Sequence, residues 1–304
     1  MITRHERSGM TWIDLEAPSR EELRSVVEEF GIDPEIEGEI IAPTPYPLFV
    51  TSPEHHYLIL HFPTTDAAGG ARNQEIDIIL GKHYLITVRY EVVSTIQTLH
   101  RAFEAEELLG IPKENAGPVL VERVLRRLYA AMGEEIERIA RQLDRIEADI
   151  FAGKEKKTVR SISEAGRVLL RFDTTLARHE EPLKTFLGEL QTSSFFGKGF
   201  AAAASRIEAE RAHTASLVTA YRAVARELRT TNDSLLSSSQ NDVMKVFTVI
   251  TVAFLPLTLI AGLFGMHTVH EPILGSANDF WIVIGLMVLV EFVLMLFLKW
   301  KRWI

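Results

Sequence analysis

Cysteine is absent from the 304 residues, so neither a disulfide framework nor a thiolate metal site can exist. Basic residues are the minority, 33 against 41 acidic ones, for a net charge of −8. Such a chain is poorly suited to neutralising phosphates, which excludes nucleic acid as a natural partner. It is suited to attracting cations. Met1 to Gly9 is polar and charged with no apolar run, so no cleaved signal peptide is expected. Nucleotide-binding and catalytic signatures are missing too: there is no GxGxxG, no Walker loop and no Ser, His, Asp order of a hydrolase. His55-His56 and His179-Glu180-Glu181 lack HExxH spacing and read as ordinary strand and helix residues. No enzymatic activity, no cofactor and no ATP-driven pumping are therefore expected.

Charge is also missing from two long runs near the C-terminal end. Val246 to Met266 holds 21 residues without a charge, and Phe280 to Leu298 holds 19 with a single acid, Glu291. About 20 apolar helical residues cross a hydrocarbon core of roughly 30 Å, so both runs read as membrane spans. Lys245 precedes the first span, and Lys299, Lys301 and Arg302 follow the second, while His267 to Asp279 between them contains no Lys or Arg. The positive-inside rule then places both termini in the cytoplasm. Trp281, Trp300 and Trp303 sit where aromatic anchors of the second span belong.

The region before the spans changes character once. Residues 11–15, 56–62 and 76–89 are β-rich, the last being two runs joined at Gly81-Lys82, and His56 to Phe62 is bounded by Pro53 and Pro63. Ser19 followed by Glu21-Glu22 is a helix start, predicting a helix to Phe30. The first third is therefore α/β. From Pro118 the pattern becomes heptad-like: Val121, Leu125, Leu128, Met132, Ile136, Ile139, Leu143, Ile146 and Ile150 form one stripe. Gly153-Lys154 interrupts it, and a second helix follows from about Thr158 to Leu190. The short break predicts an antiparallel hairpin.

No proline occurs from Ala201 until Pro256, inside the first span. One helix of roughly 95 Å is thus expected to run from the soluble region into the membrane. Its stripe (Val218, Tyr221, Ala225, Leu228, Asn232, Leu235) is thin, so it should pack against copies of itself. The expected segments are an α/β domain over 1–117, a helical hairpin over 118–200, and a stalk helix over 201–266 whose end, 246–266, spans the bilayer. A loop over 267–279, a second span over 280–298 and a basic tail over 299–304 complete the chain.

Several motifs occur in a fixed order. Trp12-Ile13-Asp14-Leu15, Pro18 and Glu21-Glu22 open the chain, and Leu80 to Val88 forms the hairpin. Asn241-Asp242-Val243-Met244-Lys245-Val246 leads into Leu255-Pro256-Leu257-Thr258 and Ile260-Ala261-Gly262, and the chain closes on Lys299-Trp300-Lys301-Arg302-Trp303. Together these resemble the CorA family of the two-transmembrane GxN superfamily over nearly the whole sequence. The resemblance implies an α+β cytoplasmic domain (an α/β sandwich), a long stalk helix and a funnel-shaped homopentamer in an inner membrane. The first span would line the pore. It also implies that Asn241, Met244, Phe247, Leu255, Thr258 and Gly262 face the pore, and their spacing of 3, 3, 8, 3 and 4 keeps them on one helix face. Phe247 and Leu255 can equally serve helix packing, and a narrow apolar ring can also gate by dewetting.

The sequence departs from the family pattern at three places. The outer-mouth signature, Gly-Met-Asn in the family, reads Gly265-Met266-His267, followed by His270 and Glu271. An Asn carbonyl suits Mg2+ and its waters, whereas imidazole suits Zn2+, Ni2+ or Co2+. The alternative is that His267 is an ordinary loop residue. In the stalk, Arg206 stands where the family often has an acid that senses cytoplasmic Mg2+, with Glu208 and Glu210 as substitutes. In the second span Glu291 is either a neutral carboxyl bonded within the bundle, to Thr248 or Thr251, or a proton-coupling group as in the zinc-transporting ZntB branch. The expected function is entry of divalent cations, Mg2+ first, driven by membrane potential. Proton-linked Zn2+, Co2+ or Ni2+ transport and a non-conducting membrane interaction protein are the alternatives.

Overall fold

The structure is a computed structural model that describes residues 1–7, 9–65, 71–109, 116–193, 196–266, 279–301 and 303. It divides into two compact units, Met1–Arg229 and Thr230–Ile304.

The first unit is built on a six-stranded sheet of β1 (Ile2–Arg7), β2 (Met10–Glu16), β3 (Leu48–Thr51), β4 (His55–Thr65), β5 (Ala71–Gly81) and β6 (Tyr84–Arg89). The order is β1-β2-β6-β5-β4-β3, antiparallel except for the β2–β6 pair. The β5–β6 hairpin has the register Leu80↔Leu85, so its turn falls on Lys82-His83, one residue later than expected. β4 also runs through Pro63 rather than stopping at it. Its pairing with β3 ends at Ile59, so beyond that point one side of β4 has no ladder to interrupt, and a residue without an N–H is tolerated.

Each face of the sheet is covered. On one face α1 (Arg20–Phe30) and α2 (Pro34–Ile40) bury Leu23, Val26, Val27, Ile36 and Ile40 against Ile13, Leu15, Tyr57, Ile59, Ile79, Ile86 and Val88. Ser19 caps α1 through a reciprocal capping box with Glu22, and Gly31 closes it in the left-handed conformation at φ 59°. The opposite face meets α3 (Ser94–Leu108), α4 (Ala116–Phe151) and α5 (Glu155–Thr192). There Trp12 stacks on His100 at 4.3 Å, and Phe62 meets Tyr129 and His179 edge-on. The α4–α5 turn is made at Gly153, φ 78°, where a left-handed residue is needed.

Two polar groups are buried in that face and fully engaged. Asp14, 1% exposed, accepts from Thr87 Oγ1 at 2.6 Å, His100 Nε2 at 2.9 Å and the Arg89 guanidinium at 2.9 and 3.1 Å. Burial pushes the Asp14 carboxyl up, but the bonds from His100, Arg89 and Thr87 outweigh it and hold it below the usual range. His179, fully buried on α5, lies 2.8 Å from the His61 carbonyl through Nε2 and 3.0 Å from the Tyr129 hydroxyl through Nδ1. The His61 N–H also lies 3.3 Å from Nε2, so both polar groups of His61 face this nitrogen, and the Tyr129 hydroxyl faces the other. The ring is neutral, its pKa lowered to about 3 chiefly by burial.

The long helix α6 (Ala201–Phe264) contributes to both units, whose division falls between Arg229 and Thr230. The second unit is the rest of α6 and α7 (Asp279–Trp300).

Candidate functional site

An α-helix turns 100° per residue, and in the second unit α6 shows two unlike sides. Thr248, Val249, Val252, Ala253, Pro256, Leu257, Ile260 and Phe264 are half-buried. The exposed side carries Asn241, Met244, Phe247, Leu255, Thr258 and Gly262, the six residues that the sequence groups on one face. Leu255, Thr258 and Gly262 line a shallow groove of about 750 Å3 together with Thr251, Phe254, Leu259, Leu263 and Met266. A polar groove of about 570 Å3 lies on the same side one span earlier, lined by Thr230, Asp233, Ser234, Ser237, Ser238 and Asn241. One side of the helix thus passes from hydroxyls, an amide and a carboxylate to apolar side chains and threonines. Sequence reasoning reached Asn241 but passed over Asp233, Ser234 and Ser237. Their signal was the small polar residues that flank Leu235-Leu236 before the span.

Gly265 ends the helix with its N–H on the Ala261 carbonyl at 2.9 Å, and a Cβ at Gly265 would approach that oxygen at 3.0 Å. Met266 is 58% exposed. His267, His270 and Glu271 lie outside the described residues.

Thr248 and Thr251 donate their hydroxyls to their own helix, to the Met244 and Phe247 carbonyls at 2.8 Å each. Each hydroxyl has one proton, now spent, and keeps only acceptor lone pairs for a neighbour. Glu291 Oε2 is buried and has no hydrogen-bond partner among the described residues.

In the first unit the three stalk residues are ion-paired. Arg206 clamps Glu122 of α4 through two bonds of 2.5 and 2.6 Å, Arg211 holds Glu208 at 2.5 Å, and Arg126 bridges Glu122 and Glu210 at 3.3 Å each. The Arg206 guanidinium lowers the Glu122 carboxyl below its ordinary range. Among the described residues no group of three or more His, Asp or Glu is placed to hold a metal. His55 and His56 serve the fold: His55 Nε2 accepts the Asp33 N–H at 3.1 Å and His56 Nδ1 lies 2.7 Å from the Thr51 hydroxyl.

Both α6 and α7 contain stretches long and apolar enough to cross a membrane, and the most apolar stretch of α6 has no buried residue. A core helix of a soluble protein would be covered. An α/β unit followed by two helices with apolar stretches, the first of them the end of the long α6, defines a protein of the two-span membrane type. The chain belongs to the family of CorA-like Mg2+ transporter proteins, whose model matches residues 7–302. It is 22% identical to the cobalt/magnesium transport protein CorA of Thermotoga maritima, across 98% of this chain and 85% of that protein. Its fold is that of the complete CorA magnesium transporter of Methanocaldococcus jannaschii, with a TM-score of 0.86 at 19% identity over 97% of this chain and 92% of the other. The ZntB cytoplasmic domain of Vibrio parahaemolyticus matches with a TM-score of 0.61 at 12% identity, over 77% of this chain and 89% of that domain. The protein is therefore a divalent-cation transporter of the membrane and not an enzyme, and the metal is its cargo rather than a cofactor.

Proposed function

We propose that the chain forms a homopentamer in which five copies of α6 surround a cation path and α7 packs outside them. Both termini lie in the cytoplasm, and Mg2+ enters down the membrane potential. The observation that carries this reading is the continuous exposed side of α6, polar from Thr230 to Asn241 and threonine-bearing from Thr251 to Thr258. A side that opens with a carboxylate, an amide and serine hydroxyls is better matched to water than to lipid. Repeated around an axis, the same side becomes a water-filled lining with Asn241, Met244, Phe247, Leu255, Thr258 and Gly262 at its surface. Mg2+ as cargo is supported by the magnesium named for the related transporters. Each charge that enters gains about 2.3 kcal/mol per 100 mV.

A second reading, proton-linked transport of Zn2+, Co2+ or Ni2+, is favoured by the buried, unpartnered Glu291 Oε2 and by His267, His270 and Glu271 beyond the end of α6. A non-conducting scaffold is the third.

Flux into proteoliposomes under an imposed potential, measured for Mg2+, Co2+, Ni2+ and Zn2+ with and without a pH gradient, separates the three. Potential-driven Mg2+ entry supports the first reading. Zn2+ entry that follows the proton gradient and is lost in Glu291→Gln supports the second, and silence with every metal leaves the third. Mass measurement in detergent must give a pentamer, and a stable monomer or dimer ends the first reading. If the His267 ring selects the cation, flux falls as the outer pH drops from about 7 to about 5, because only neutral imidazole ligates metal. His267→Asn then abolishes that dependence and raises Mg2+ flux relative to Zn2+.

A further inference from the structure

Within the first span the polar side chains are Thr248, Thr251 and Thr258. On the helical wheel Thr251 lies between Phe247 and Leu255 on the exposed side, one turn from each. It lines the same groove as Leu255, Thr258 and Gly262. Thr248 is half-buried at the border of that side. The Thr251 Oγ1 proton is committed to the Phe247 carbonyl at 2.8 Å, as that of Thr258 is to the Phe254 carbonyl at 2.8 Å. A hydroxyl whose only proton is bound to its own helix offers nothing but lone pairs outward. It can then accept from the water shell of a cation but cannot repel that cation with a donor.

Phe247 and Leu255 are 61% and 63% exposed on this side. Separated by eight residues, they stand about 12 Å apart along the helix. An unbroken apolar stretch of that length would dewet and block a hydrated ion. Thr251 is the residue that interrupts it.

We propose that Thr251 is a permeation-determining residue: its hydroxyl oxygens form an acceptor ring for the water shell of a hydrated divalent cation, midway between apolar rings of Phe247 and Leu255. The inference rests on the reading of α6 as the pore-lining helix.

Two variants of identical or smaller size test the chemistry in proteoliposomes. Thr251→Val keeps the volume and removes the acceptor, so Mg2+ flux should fall about 3- to 10-fold, the worth of one hydrogen bond. Thr251→Ser keeps the oxygen and should retain most of the flux. Equal flux in the valine variant and the parent overturns the proposal, as does equal loss in both variants.

A second measurement does not need transport. The chain has no cysteine, so Thr251→Cys and Ile250→Cys each carry a single thiol. Ile250 is 49% exposed, lies one residue round the helix and is outside the groove. A water-soluble maleimide read by mass should label the pentamer at position 251 and not at 250. Labelling at 250 alone, or at neither position, overturns the placement of Thr251 in a wet path. A wild-type protein that transports nothing while position 251 labels would instead defeat the transport reading and leave the wet path standing.

Discussion

The two units of this protein bury their side chains by opposite rules. In Met1–Arg229 most large apolar residues are inside, and two charged ones are enclosed with them: Asp14 and Arg89 are 1% and 2% exposed. In Thr230–Ile304 large apolar residues such as Phe254, Leu259 and Phe292 are 60–64% exposed, while the hydroxyls of α6 are turned onto their own backbone. The first unit is a solution to folding in water, where apolar area removed from solvent supplies the stability. The second keeps its apolar area for lipid and for other copies, and satisfies its polar groups within the helix because the bilayer core offers no water. Stability should therefore reside in the first unit, and substitutions should reveal the contrast.

The largest effect is expected at Asp14→Ala. It strips Arg89 of its bidentate partner in a buried site, leaving Glu16 at 2.5 Å and the Glu91 carbonyl at 3.5 Å. Denaturant unfolding of the full chain in detergent should show a loss of about 3 kcal/mol or more. A loss below about 1 kcal/mol would mean that the first unit relies on its charges as little as a surface does.

A pH effect comes next. His179 has a folded pKa of about 3 against about 6.5 when unfolded. The unfolded chain therefore binds the extra proton between those values. The stabilisation is complete above pH ~6.5 and is lost as the pH falls toward 3, with on the order of 2 kcal/mol gone by pH 5. His179→Gln supplies a donor and an acceptor without titrating, so the difference in stability between parent and variant should narrow by that amount from pH 7 to pH 5. A constant difference would show that the ring is not buried neutral.

The exposed ion pair between Arg4 and Glu29, with side chains 46% and 40% exposed, should be worth less than about 1 kcal/mol in a double-mutant cycle and should fade with salt. A larger coupling would blur the distinction between the surface of the first unit and its core.

The smallest effect on unfolding is expected for Leu259→Ala in the second unit. Leu259 is 60% exposed, so the unfolding of the α/β unit should shift by less than about 0.5 kcal/mol. If the proposed pentamer forms, its cost should appear in assembly, as dissociation at lower detergent concentration. A several-kcal/mol loss in unfolding would mean that the two units are not energetically separate.

Much of this architecture was legible because it is periodic. The β-rich run of Trp12 to Leu15, the Ser19–Glu22 capping box and the stripe from Val121 to Ile150 are local patterns with a direct physical reading, and each element lies where its pattern placed it. β1 and β3 were missed. β1, with the sequence ITRHER, is a polar edge strand with no alternation to detect, and β3 has only four residues. α2 and α3 were also missed: α2 has only seven residues, and α3 starts after Val93 with no side-chain cap to announce it. In the candidate site the six exposed residues of α6 came from the family resemblance, and 100° steps agree in placing them on one face. Thr251 escaped because an eight-residue gap between Phe247 and Leu255 satisfies the periodicity without it.

The sequence alone determines the two apolar spans, the charge asymmetry around them, the long α6 and the shared face of Thr251 and Thr258. These depend on composition and on a fixed angle per residue, both properties of a local stretch of chain. Tertiary structure decided the rest. Asp14 meets Arg89 and His100 across 75 and 86 residues, Arg206 is taken by Glu122 across 84, and Glu291 Oε2 is left buried without a partner among the described residues. No periodicity encodes such pairings, because which distant side chain satisfies a buried charge depends on how the sheet and helices stack, and that is settled only when the core closes.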